Sequence, residues 1–241
     1  MKNLVSVIIV TLNADRTIYK AINSVKNQTY QNIELLIIDG LSKDSTLNVL
    51  KKFDNLFYIS EKDKGIFDAM NKGIQYANGE WVYFLGADDE LEPNAIETLI
   101  QNSEGYDIVY GNYTVVSPEG KETNLYALDY KVVRFKVFGN HQCLIMKRNV
   151  IVALDCFDIT FKLAADFDLI QRAYLQNYKF KQIQACISKF SLGGVSSNNY
   201  STSIEWWKIC KKNNSVTFPI LCLFYGLLRD FKNRIIYKIS S

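Results

Sequence analysis

Residues Phe84–Pro93 read FLGADDELEP and set two carboxylates, Asp88 and Asp89, side by side directly after the apolar run Trp81–Leu85. Two ionised carboxylates repel, and no Lys or Arg lies within several residues to balance them. A divalent cation is one balance; plain solvent at a strand end is the other. With a single histidine, His141, and five scattered cysteines, the chain cannot build a multi-histidine or zinc-type centre. A cation held here would take oxygen ligands, which points to magnesium or manganese. Two further acids, Asp166 and Asp168, stand in AADFD. A carboxylate facing an acceptor hydroxyl can remove its proton, and a metal on paired aspartates can neutralise a departing diphosphate. Asp166 is the favoured base, because on a helix Asp168 would point elsewhere.

These acids need elements to place them. Val5–Leu12 is apolar and β-branched throughout, as strands buried on both faces are. Ala14–Lys26 has helical spacing (Ile18, Ala21, Ile22, Val25), with Asp15 as the expected N-cap. Ile33–Gly40 predicts a second strand, SKDSTLNVLKKF a short helix, LFYIS a third strand, and IFDAMNKGIQYANG a helix stopped by Asn78–Gly79. The strand Trp81–Leu85 follows, then a helix opened by Pro93. This βαβαβαβα order predicts an α/β fold with a mostly parallel sheet between helices. Ligands in such folds sit beyond the carboxyl ends of the strands, where Thr11–Asn13, Asp39 and Asp88–Asp89 all fall. The loop after the first strand, TLNADR, has no G-x-G-x-x-G and no G-K-[ST], which argues against dehydrogenase and P-loop readings.

The second half is less regular. DIVYGNYTVV reads as a strand and SPEGKET as a turn. HQCLIMKR reads as a strand, Ala165–Asn177 as a helix, FKQIQACISKF as a strand, and Leu192–Ser197 as a glycine-hinged loop. Residues 1–214 are taken as one domain. Residues 215–241 form a tail whose apolar run FPILCLFYGLL gives way to Arg229, Lys232, Arg234 and Lys238. That pattern suits a membrane interface with basic residues toward anionic headgroups. No stretch reaches the length of about 20 apolar residues that spans a bilayer. The start, MKNLVSVIIV, is read as a first strand rather than a signal peptide. A net charge of +3 is too small to imply a nucleic-acid partner.

The run VSVIIVTLNADRTIYKAINSVKNQTYQNIELLIIDGLSKDST resembles the opening of a family 2 glycosyltransferase of the GT-A fold, and DKGIFDAMNKGIQYANGEWVYFLGADDEL strengthens the resemblance. HQCLIMKR, FKLAADFDLIQR and GGVSS fall in the order found in bacterial members that build capsular, colanic-acid-type or O-antigen polysaccharides. The resemblance implies an inverting, metal-dependent enzyme that uses a nucleoside diphosphate sugar, usually a uridine one. Its acceptor would be a glycan or a polyprenyl-linked glycan, and it would work in the cytosol at the inner membrane surface. Thr11 and Asn13 would lie beside the nucleotide, and Asp39 would hydrogen-bond its base or ribose. Asp88 would hold the metal, Asp89 the metal or the sugar. Asp166 matches the catalytic base, and His141–Gln142 a motif near the acceptor. Lys64 and Asp68 flank a helix start, where acids are favoured in any case, and stand as further donor-binding candidates.

The chain departs from the family at three points. Thr11 and Leu12 stand where Pro and Tyr are common, Gly86 where many members carry Asp, and Ala165 where Glu often precedes the base. Two other readings compete. A nucleotidyltransferase would want a glycine-rich basic loop after the first strand. A catalytically silent nucleotide-sugar-binding scaffold would not need Asp88 and Asp166.

Overall fold

Seven consecutive buried residues, Val5–Thr11, form β1, the spine of a nine-stranded sheet. The computed structural model describes residues 3–192, 200–215 and 226. Strand β1 pairs in parallel with β2 (Ile33–Asp39) on one side and β4 (Trp81–Gly86) on the other, and β3 (Phe57–Ser60) lies outside β2. Successive side chains alternate between two faces, so each strand feeds two cores. Ile8, Val10, Ile38, Val82 and Phe84 pack with Phe67, Met70 and Ile74 of α3 (Ile66–Tyr76). Val7, Ile9, Ile37, Trp81, Tyr83 and Leu85 pack with Ile18, Ala21, Ile22 and Val25 of α1 (Ile18–Lys26). The short α2 (Thr46–Leu50) and α4 (Ala95–Gln101) share the α1 face. The expected parallel arrangement with helices on both faces is therefore present in the first half.

The second half mixes directions. After the two-residue β5 (Glu90–Leu91), β6 (Ile108–Val116) turns back into β7 (Glu122–Leu125). Strand β8 (Leu144–Lys147) slots antiparallel between β4 and β6, and β9 (Phe180–Ser191) runs parallel to β6. Helices α5 (Arg148–Ala153), α6 (Ala165–Leu175) and α7 (Tyr200–Lys212) join α3 on its face.

Several expected boundaries move. Helix α1 starts at Ile18, because Ala14–Thr17 forms a turn in which the Ala14 carbonyl accepts from the Thr17 and Ile18 amides. Asp15 does not cap it; its carboxylate accepts from the Ser45 amide. Helix α3 ends at Tyr76 with Ala77 extended, and neither Asn78 nor Gly79 is left-handed. Their amides instead reach Glu34, at 2.5 and 2.9 Å, so a tertiary acceptor replaces the local stop. Pro93 precedes Asn94, which caps α4, and His141–Cys143 is a 3-10 turn rather than strand. Of the proposed loop at 192–197 and tail at 215–241, only Leu192, Ser215 and Gly226 are described; the rest lies outside the described residues. No helix among the described residues is long and apolar enough to cross a membrane.

Candidate active site

Strand register decides which residues meet. Thr11 is level with Asp39, Asp39 with Ser60, and Val10 with Gly86, so the carboxyl ends of four adjacent strands line one rim. At about 4.8 Å per strand, that rim is roughly 14 Å wide. Because β8 is antiparallel to β4, its amino end and the preceding turn His141–Cys143 come to the same rim. The carboxyl end of β9, Ser191, arrives there too.

On the first-strand side, the Asp39 carboxylate is fully buried. It accepts from the Ser42 amide and hydroxyl, at 3.1 and 2.5 Å, and from the Ser60 hydroxyl at 2.6 Å. Asn13, left-handed at φ 54°, joins the loops after β1 and β2. Its amide donates to Ser42 Oγ at 2.7 Å, and its Oδ1 accepts from the Lys43 amide at 2.8 Å. Thr11 Oγ1 is buried without a hydrogen-bond partner among the described residues. Ser42 and Ser60 were missed from sequence, although Ser60 could have been found as the residue ending β3. Asp63 was missed as well: one of its oxygens lies 2.4 Å from where a Cβ on Gly40 would sit.

Lys64 and Asp68 stand at the start of α3. The amide of Lys64, one residue before the N-cap Gly65, donates to the Asp68 carboxylate at 2.9 Å, which ties the entering chain to the first turn. Gly65 between them has φ 127°, a conformation that only glycine adopts without strain. The Lys64 side chain is exposed.

The adjacent acids have opposite surroundings. Asp88 is exposed, and no described residue donates to its carboxylate. Asp89 is 1% exposed; its Oδ1 accepts from the Ser191 amide at 2.9 Å and its Oδ2 from Gln142 Nε2 at 2.8 Å. Burial, helped by the Asp88 charge, pushes the Asp89 carboxyl up to about 7. Gly86 makes this fold-back possible, since a Cβ there would lie 2.3 Å from Asp89 Oδ2 and 3.0 Å from Asp88 Oδ1. The missing first acid of the motif thus has a steric reason. Gly86→Ala is expected to cost about 1–3 kcal/mol, a fall of roughly 2–12 °C in melting temperature. An unchanged melting temperature would show that the loop yields freely.

Asp166 occupies the first turn of α6, where the helix dipole favours a carboxylate. Its Oδ2 lies 3.2 Å from His141 Nδ1, and its Oδ1 accepts from the Phe167 amide at 2.9 Å. Against an ionised carboxylate, Nδ1 carries the ring hydrogen. The approach to α6 is held by Glu205 of α7, which accepts the consecutive amides of Lys162, Leu163 and Ala164 at 2.8–3.0 Å. Nothing in the spacing of the sequence announces that contact across 43 residues. Asp168 points away from the rim side: it is fully buried and pairs with Arg172 at 2.7 Å and Lys212 at 3.2 Å. One line of contacts therefore runs from Asp89 through Gln142 and His141 to Asp166.

Residues 6–162, most of the chain, match the model of the family described as glycosyl transferase family 2. The chain belongs to that family. This glycosyltransferase is 29% identical over 239 residues to the UDP-Glc:alpha-D-GlcNAc-diphosphoundecaprenol beta-1,3-glucosyltransferase WfgD of Escherichia coli, covering 93% of this chain and 91% of that protein. It is 30% identical over 178 residues to a PGL/p-HBAD biosynthesis glycosyltransferase of Mycobacterium bovis, covering 70% of this chain and 69% of the relative. Among solved structures, S. aureus TarS 1-349 in complex with UDP superposes with a TM-score of 0.71 at 18% identity, over 95% of this chain and 72% of that one. Against a longer TarS chain the TM-score is 0.66 at 17% identity, and the match spans 86% of this glycosyltransferase but 38% of that chain. The mannosyltransferase PcManGT of Pyrobaculum calidifontis, in complex with GDP-Man and Mn2+, gives 0.69 at 14% identity over 99% of this chain and 76% of that one. At these identities the likeness is one of fold, and that fold is GT-A.

Proposed function

We propose that this glycosyltransferase moves a sugar from a uridine diphosphate sugar to a lipid-linked glycan in bacterial surface-polysaccharide synthesis, with inversion and with a divalent cation at Asp88. The observation that carries the reading is the rim itself. It sets the exposed carboxylate of Asp88, to which no described residue donates, on one side and the His141–Asp166 pair on the other. The likeness to WfgD over 93% of this chain and 91% of that protein, whose name gives a UDP-glucose donor and a diphosphoundecaprenol-linked acceptor, supports the donor and acceptor classes.

An exposed carboxylate such as Asp88 suits a hard divalent cation, which takes oxygen ligands. Among the described residues no three His, Cys, Asp or Glu side chains converge on one point. An ion at Asp88 would thus keep positions open for diphosphate oxygens and water, as magnesium and manganese sites commonly do. When bound, magnesium or manganese offsets the charge that develops on the departing diphosphate. The loops at Thr11, Asn13 and Asp39 are proposed to hold the nucleotide, with the Ser42 and Ser60 hydroxyls sharing the contacts because Asp39 is turned inward. Lys64 and Asp68 would close the donor pocket at the α3 start. Asp166 takes the proton of the acceptor hydroxyl as that oxygen bonds to the anomeric carbon, and the carbon–oxygen bond to the diphosphate breaks on the opposite side. Attack from the face opposite the leaving group inverts the anomeric centre. His141 holds the Asp166 carboxylate in place, and Gln142 completes the acceptor-side turn. The tail at 215–241 would bring the enzyme to the cytoplasmic membrane surface, where such an acceptor resides.

Thermal stability against UDP, GDP, CMP and dTDP, each with and without manganese, tests the reading. UDP with manganese at 100 times its dissociation constant is expected to add about 2.7 kcal/mol, a rise of roughly 5–10 °C. Asp88→Asn should abolish that rise while remaining folded. The absence of a shift with any nucleotide in the folded protein would overturn the proposal.

A further inference from the structure

We infer that Asp89 is a positioning residue that ties the acceptor-side turn to the metal-bearing loop, and is not itself a ligand of the ion. The inference rests on the reading that Asp88 carries the cation, and it divides the labour between two adjacent acids. Both Asp89 oxygens already face protein donors, Ser191 N at 2.9 Å and Gln142 Nε2 at 2.8 Å. Each oxygen has one lone pair engaged in this way, and Asp89 is 1% exposed, so an ion could reach the remaining lone pairs only by opening the buried loop that these bonds hold shut. Those two bonds hold together three segments far apart in sequence: the loop at 86–89, the turn His141–Cys143, and the end of β9.

The surroundings reinforce the clamp. Ser191 Oγ donates to the Asp88 backbone carbonyl at 2.6 Å, so Ser191 grips both acids and leaves the Asp88 carboxylate outward. Tyr83 of β4 donates its hydroxyl to the Gln142 carbonyl, which fixes the other side of the turn. The residue before Gln142 is His141, whose Nδ1 meets Asp166. Asp89 therefore sets how far the acceptor-side pair stands from the ion-bearing carboxylate, a distance that transfer chemistry reads steeply. Gly86 suits the clamp, because a Cβ there would lie 2.3 Å from Asp89 Oδ2 and the carboxylate would have to shift from its donors.

The test turns on amide replacement. Asn at 89 can still accept from the Ser191 amide and can donate to Gln142 once that amide turns over, since Gln142 Oε1 is buried with no partner among the described residues. A positioning role therefore survives Asp89→Asn, whereas a ligand role loses its charge. Manganese-dependent UDP binding is measured by calorimetry in wild type, Asp88→Asn and Asp89→Asn, and the ring signals of His141, the only histidine, are followed by NMR in wild type, Asp89→Asn and Gln142→Ala. Asp89→Asn is expected to keep manganese–UDP affinity within about threefold of wild type, while Asp88→Asn loses about tenfold or more. Gln142→Ala is expected to move the His141 signal by more than its linewidth, and Asp89→Asn to leave it in place. A loss in Asp89→Asn equal to that in Asp88→Asn overturns the inference, as does a His141 signal indifferent to Gln142→Ala. A wild type that binds no UDP overturns the proposed function instead, and the NMR comparison, which needs no nucleotide, then still decides the clamp.

Discussion

Asp166→Asn is expected to lower the rate of sugar transfer by about 10²–10⁴-fold while UDP and manganese bind as in wild type. The amide keeps the size of the carboxylate, so the helix start and the contact to His141 need not collapse, but it has no basicity with which to take the acceptor proton. Only the step that moves the proton should suffer. The measurement is single-turnover transfer with a donor chosen by the nucleotide screen, alongside calorimetric UDP binding. A variant transferring within about threefold of wild type would remove Asp166 from the role. Loss of UDP binding in parallel with rate would point to a disturbed donor site.

Asp168→Ala, two residues on, is expected to do the reverse: about 3–5 kcal/mol lost from stability, or roughly 6–20 °C in melting temperature, with the rate per folded molecule close to wild type at low temperature. Asp168 is fully buried and receives Arg172, Lys212 and Asn213, at 2.7, 3.2 and 3.1 Å. Its removal leaves a half-buried guanidinium whose remaining partners are the Leu154 and Cys156 carbonyls. It also removes the Lys212 and Asn213 contacts to Asp168 of α6, leaving α7 held by Gln171 and by the Phe167–Trp206 ring pair. Denaturant midpoints compared at fixed slope check the cost. A loss below about 1 kcal/mol would show that the pair contributes no more than a surface ion pair does.

The contrast shows what the sequence made legible. A helical period sends residues 166 and 168 to different sides, so their separation follows from spacing alone. The parallel half was legible for a similar reason: runs such as VSVIIV and LIID are buried on both faces, and few other elements tolerate that composition. The GADD loop after such a run marked the rim. Less visible were features set by distant partners. Glu34 ends α3 from another strand, so Asn78–Gly79 misled. Helix α7 carries Trp206 and Trp207 amid polar residues without a clean apolar stripe, and β5 has only two residues. Above all, spacing shows that Asp88 and Asp89 are neighbours, but not that one faces solvent and the other Gln142. That difference is written in contacts 53 and 102 residues away.

The antiparallel insertion of β8 between β4 and β6 has a consequence for the order in which the molecule is made. Residues up to about 101 carry β1–β4 and their helices, and although β4 must return to β1, none of these pairings needs β8 or β9, so this part can form before them. The rim is then half built: the Thr11, Asp39 and Ser60 loops stand ready while the Asp88–Asp89 loop has no Gln142 and no Ser191 to fold against. Completion waits for β8 and β9 to pair and for Glu205 to reach the amides before α6. During synthesis and refolding alike, the first-strand side should mature before the side that bears Asp166. A late, slow phase would then restore catalysis after most of the sheet has formed, and the unfinished intermediate would leave the β4 edge open to pairing with another chain.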